Sequence, residues 1–91
     1  MSKIIVEHNP DASRLNTLGV NRWPTWSKEV SVFPWTFGEV EVAYILEGEV
    51  VVTPKGGEPV AFGTGDLVTF PAGMSCTWDV RKALRKHYQL G

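Results

Sequence analysis

Three residues of this 91-residue chain could carry chemistry together: Glu41, Cys76 and, two positions beyond the cysteine, Trp78. Cys76 is the only cysteine, so it forms no disulfide within the chain. To act as a nucleophile it would need its pKa lowered by a histidine, a cation or a helix N-terminus. The two histidines, His8 and His87, stand near the termini with no recognisable Cys/His spacing. Cys76 therefore reads more simply as a small buried hydrophobe. Side chains alternate along a strand, so Cys76 and Trp78 share a face, and any pocket there would have both in its wall. Glu41 is harder to treat as inert. A carboxylate turned into a small apolar interior costs several kcal/mol unless it is paired, hydrogen-bonded or protonated. It either closes an internal salt bridge, for example with Arg22 or Lys28, or it binds the polar part of a ligand or acts as a general base with a raised pKa.

The elements that must position these residues are strands. Gly63 to Trp78 reads as strand, turn, strand, with Leu67–Phe70 and Met74–Trp78 as the apolar runs and Gly65, Pro71 and Gly73 as the turn residues. Upstream, Lys3 to Val6 is a short edge strand, and Asp11 caps a helix from Ala12 to Leu18 that stops at Gly19. Arg22-Trp23-Pro24-Thr25-Trp26 reads as an extended arm packed on the barrel. Glu29 to Phe37 alternates, with Phe33, Trp35 and Phe37 on one side, and bends at Pro34. Along Glu39 to Leu46, the residues Val40, Val42, Tyr44 and Leu46 share one face, and Glu39, Glu41, Ala43 and Ile45 the other. A strand apolar on both faces belongs in a barrel or sandwich, or against a partner chain. Glu47-Gly48 breaks it, Glu49 to Thr53 follows, and the turn Pro54-Lys55-Gly56-Gly57 leads to Glu58–Phe62. The C-terminal residues Val80, Ala83, Leu84 and Tyr88 also fit a helical stripe. In an all-β context they read as a turn near Lys82 and a last strand, with Leu84, Tyr88 and Leu90 inward and Arg85, His87 and Gln89 outward. Arg81, Lys82, Arg85 and Lys86 read as a solvated face. The chain is thus a single domain, 1–91, with an N-terminal arm and short helix over 1–28 and a barrel over 29–91.

Composition narrows the function. A net charge of −1 and a pI near 6.1 lack the footprint of a nucleic-acid binder. Apolar runs of a few residues are too short to span a membrane. Without a secretory pattern, and with a lone cysteine, the expected location is cytoplasmic. Four tryptophans in so short a chain either fill an aromatic core or line a cavity.

The motifs resemble those of the cupins, in particular the small single-domain cupins akin to the ureidoglycine aminohydrolase and ethanolamine-utilisation types. The second cupin motif, G-x5-P-x-G-x2-H, is matched by Gly65, Pro71 and Gly73, with Cys76 in place of the histidine. The first is matched by Glu41 followed by Tyr44-Ile45-Leu46-Glu47-Gly48, while Trp35 and Phe37, or Pro34 and Thr36, stand where its H-x-H pair belongs. Trp23-Pro24-Thr25-Trp26, Gly63–Phe70 and Lys86-His87-Tyr88 look like the small subfamily. The resemblance implies a cupin jelly-roll β-barrel (double-stranded β-helix) with one short N-terminal helix. It also implies a ligand pocket between the motifs, formed by Glu41, Cys76, Trp78, Trp35 and Phe37. Only Glu41 and Cys76 remain as metal ligands, too few for a catalytic site and mismatched in softness. No cofactor is expected, the alternative being a weakly held divalent transition metal. The favoured function is small-molecule binding, with a small metal-dependent enzyme acting on an amine, ureido or carboxylate compound as the alternative. A barrel filled with side chains is the bland third reading. A homodimer through the Val40, Val42, Tyr44 and Leu46 face is expected, because a chain this short has little left to cover that face.

Overall fold

Two long strands organise the domain, as seen in a computed structural model that describes residues 3–91. Strand β4 (Glu41–Pro54) and strand β7 (Ser75–Leu90) pair antiparallel over almost their whole length. Each is shared by two short strands. On β4 these are β6 (Asp66–Phe70) and β5 (Val60–Gly63), and on β7 they are β2 (Thr25–Lys28) and β3 (Ser31–Thr36). Strand β1 (Ile5–His8) extends the far edge of β6. The sheet order is β1-β6-β4-β7-β2, and the whole wraps around one apolar core as the expected β-barrel.

Three expectations are corrected here. β4 does not break at Glu47-Gly48: it continues with register irregularities between Ile45 and Val50. Gly48 has φ +116°, and a Cβ there would lie 2.7 Å from Ala83 O and 3.0 Å from Lys82 O. Only glycine lets β4 approach β7 so closely, so the bend is absorbed without ending the strand. Nor does β7 turn near Lys82. Opposite Gly48 it bulges, with Arg81, Lys82 and Ala83 all exposed, and then resumes its alternation. Finally, Thr25–Lys28 is not an arm lying on the barrel but a strand hydrogen-bonded into its sheet.

The helix α1 (Ala12–Leu18) forms as its sequence predicts, with Arg14 N–H donating to Asp11 Oδ1 at 2.9 Å and Gly19 at φ +74° closing it. Leu15 and Leu18, together with Val20 and Trp23, pack on Val42, Tyr44 and Leu67. The N-terminal segment thus covers much of the outward face of β4. Inside, Trp78 sits among Phe33, Phe37, Phe62 and Phe70, with ring centroids 5.4–6.3 Å away. Phe37 stacks on Phe70 at 4.7 Å. The turn after β6 fixes Phe37, since Gly73 N–H donates to Phe37 O and Phe37 N–H donates to Met74 O.

Candidate functional site

On β4 the inward residues Glu41, Ala43 and Ile45 are all buried, so the carboxylate does enter the barrel interior. Its partner is Lys86 on β7, whose Nζ donates to Glu41 Oε2 at 2.5 Å. Both side chains are 7% exposed. Lys86 shares the inward side of β7 with Trp78, Leu84 and Tyr88, so the expected solvated face loses this member. The salt-bridge alternatives for Glu41, Arg22 and Lys28, are both replaced by Lys86.

Around the pair lies a cavity of about 270 Å³. Glu41, Lys86 and Trp78 form its buried floor and Phe33 and Tyr88 its walls. Trp26, Trp35 and Leu90, 37%, 51% and 51% exposed, form the rim. Its volume is close to the lower end for small-molecule sites, and its lining is aromatic with few polar groups. The ammonium is held by more than the carboxylate: its Nζ lies 4.9 Å from the Trp78 ring centroid, 5.1 Å from Trp26 and 5.9 Å from Tyr88. Rings at these distances attract a cation through their quadrupoles. Burial nevertheless pulls the Lys86 pKa below that of an ordinary lysine, with Glu41 opposing the shift.

Of the residues expected at the site, Glu41, Trp78 and Trp35 line the cavity, whereas Cys76 and Phe37 do not. Both belong to the packed core. The Cys76 thiol donates to Trp35 O at 3.5 Å, and burial pushes its pKa up, against nucleophilic use. The cavity members missed in the sequence are Lys86, Trp26, Phe33, Tyr88 and Leu90. The signal for Lys86 was its parity with Leu84 and Tyr88. Trp78 Nε1 is buried on the side of the Cys76 thiol, whose pKa the indole N–H pulls down against the larger effect of burial. Asp66, the third buried charged residue among those described, is satisfied elsewhere, by Gly63 N–H and by His8 Nδ1.

The fold implies a metal at Glu41, and the donor set does not fit one. Among the described residues no three His, Cys, Asp or Glu side chains converge. Glu41 already faces a cation, the Lys86 ammonium, and the Cys76 sulfur is directed to a backbone carbonyl. No helix among the described residues is long and apolar enough to cross a membrane.

The chain as a whole is similar to several known proteins. The profile of the EutQ-like cupin domain matches residues 15–88. A DUF861 family protein from Thermotoga maritima is 45% identical, with 98% of this chain and 100% of that one aligned at a TM-score of 0.95. A putative ethanolamine utilization protein from Salmonella typhimurium is 30% identical, at a TM-score of 0.63 over 70% of this chain and 51% of that one. The Clostridium difficile EutQ protein, 23% identical, aligns over 70% of this chain and 50% of its own at 0.64 and shares the fold. The chain thus spans about half the length of the two EutQ proteins. No curated protein matches.

Proposed function

The chain belongs to the EutQ-like cupin domain family, and from that premise we propose that it binds a small, flat, uncharged molecule in the aromatic cavity. The observation that carries this reading is the buried Lys86–Glu41 pair at the floor of an otherwise apolar cavity. Hydrophobic side chains of similar volume would stabilise the barrel as well or better, so burial of such a pair is poorly explained by stability. Its two charges neutralise each other, which disfavours a charged ligand in a desolvated site. Donor capacity remains, however: an ammonium has three N–H groups, and Glu41 uses one of them. A ring carrying one carbonyl or hydroxyl oxygen would accept from the ammonium while its faces met Phe33, Trp35 and Tyr88. The metal-dependent enzyme has no comparable observation behind it, since the donor set is spent on the ammonium.

Tryptophan fluorescence titrations test the proposal, with benzamide and benzyl alcohol as neutral probes and benzoate and benzylammonium as charged ones. Saturable quenching by the neutral probes, weakened in Trp35→Ala and Lys86→Met, is expected. Quenching by none of the four, or quenching indifferent to both variants, would remove the cavity as the binding site.

A cytoplasmic location and a homodimer belong to the same proposal. Support for the dimer has moved, because Val42 and Tyr44 are covered by Val20, Trp23 and α1. The apolar surface left for a second copy includes Ile5, Val30, Val32 and Val40. Sedimentation equilibrium at micromolar concentration decides it, with a monomer mass ending the dimer.

A further inference from the structure

We propose that Lys86 captures the carbonyl carbon of a small aldehyde or ketone as a Schiff base, with Glu41 carrying the protons. The inference rests on the reading of the cavity as a ligand site and names the chemistry that this site can perform. Four observations support it. Lys86 is a lysine held inside: its side chain is 7% exposed, against 33% for Lys28 and 71% for Lys82. Lys86 nevertheless lines a cavity whose rim residues Trp26, Trp35 and Leu90 are exposed, which gives a small electrophile a way in. A carboxylate stands 2.5 Å from the nitrogen, close enough to take its proton directly. The rings of Trp26, Trp78 and Tyr88 surround a cation at that nitrogen, and an iminium is again a cation at the same atom. Burial, which eases the loss of the ammonium proton, acts in the same direction.

The steps balance without an outside reagent. Glu41 takes one proton from the Lys86 ammonium, and the freed nitrogen pair forms the N–C bond to the carbonyl carbon. The π pair of the C=O bond moves to oxygen, which takes the proton back from Glu41. The resulting carbinolamine nitrogen loses its second proton to Glu41, and that proton is passed to the hydroxyl. The C–O bond then breaks, water leaves, and the nitrogen pair forms C=N as a cationic iminium between the rings. Net, one carbonyl compound and one ammonium give one iminium and one water, and no redox change occurs.

The test uses benzaldehyde as the probe, with cyanoborohydride near neutral pH to trap any imine, followed by peptide mapping. Benzylation concentrated at Lys86 over Lys3, Lys28, Lys55 and Lys82 is expected. Trapping at that peptide should be absent in Lys86→Arg and slower by roughly a hundredfold in Glu41→Gln, the scale of a lost general acid–base. Unfolding curves of both variants establish that they fold, and the wild-type map stands on its own if they do not. Labelling confined to the other lysines overturns the proposal. A parallel titration with benzyl alcohol, which has the ring but no carbonyl, separates the two ideas. If benzyl alcohol binds and Lys86 is not labelled, Schiff-base capture falls and the ligand site stands. If neither occurs, both fall.

Discussion

Glu41 and Lys86 are not partners in the β4–β7 ladder, since Glu41 stands opposite Leu90 and Lys86 opposite Ile45, yet their side chains meet at 2.5 Å. Four residues of strand, roughly 13 Å of rise, separate the two ladder positions. The side chains therefore lean toward each other along the inner face, past Tyr88 and over Trp78. The lysine stem covers apolar surface as it goes, so Lys86 packs as well as pairs.

Removing one partner alone strands a buried charge. Lys86→Met and Glu41→Leu should each cost about 3–5 kcal/mol in urea unfolding, while the double variant should recover most of the loss. Simple additivity of the two losses in the double variant would show that the pair contributes no coupling.

The pH dependence follows from the same lysine. Its folded-state pKa lies below the ordinary value of 10.5, because burial outweighs Glu41. Between the lowered pKa and that of the unfolded chain, the unfolded state binds the extra proton, so stability rises with pH across this window. Wild type should therefore gain on Lys86→Met as pH is raised toward the ordinary lysine value. Glu41 and Tyr88 also face Lys86 from the cavity. A Tyr88→Phe background removes the phenol beside Lys86 and isolates the lysine. A constant or shrinking difference would contradict the buried placement of the ammonium.

Two glycines should separate backbone strain from close approach. Gly73 has φ +81° with open space around its Cα, so Gly73→Ala should cost about 1–2 kcal/mol. Gly48 adds a 2.7 Å backbone clash with Ala83 O to its φ of +116°, and Gly48→Ala should cost more than about 4 kcal/mol. Equal losses would mean that β4 can move away from β7 at no cost.

Core and rim should likewise part company. Phe70 is fully buried, and Phe70→Ala should cost about 3–5 kcal/mol. Trp35 is 51% exposed, and Trp35→Ala should stay within about 0.5 kcal/mol of wild type while weakening probe binding. Loss of stability without loss of binding in Trp35→Ala would make it a packing residue.

Turn chemistry made most of the barrel legible in advance. Gly65 and Gly73 do hold positive φ, and Asp11 and Gly19 do bound the helix. Gly48 was misread because its chemistry is the same whether a strand ends or bends. On β4 the inward residues pass from Glu41, Ala43 and Ile45 to Val50 and Val52, a change of parity that looks like a break until β7 is laid beside it. The site was half legible. Glu41 and Trp78 could be placed from motif and alternation, whereas Lys86 was hidden within a basic run whose other members are solvated. Its parity with Leu84 and Tyr88 points inward, but the carboxylate that pairs with it lies forty-five residues away in the chain, and no local pattern reports that contact.

The three-ring cage around Lys86 has one consequence that reaches outside the chain. Its occupant is an ammonium on an alkyl stem, attached to β7 only by that stem. Lys86→Ala cuts the stem and leaves Trp26, Trp78 and Tyr88 facing an unpaired Glu41, which together form a receptor for a free primary amine. Propylammonium added to that variant should raise its melting temperature in a saturable way, as any ligand of the folded state does. Wild type, with the position filled, should not respond. Lys86 is then a tethered ligand, and its removal would make the domain a sensor for amines.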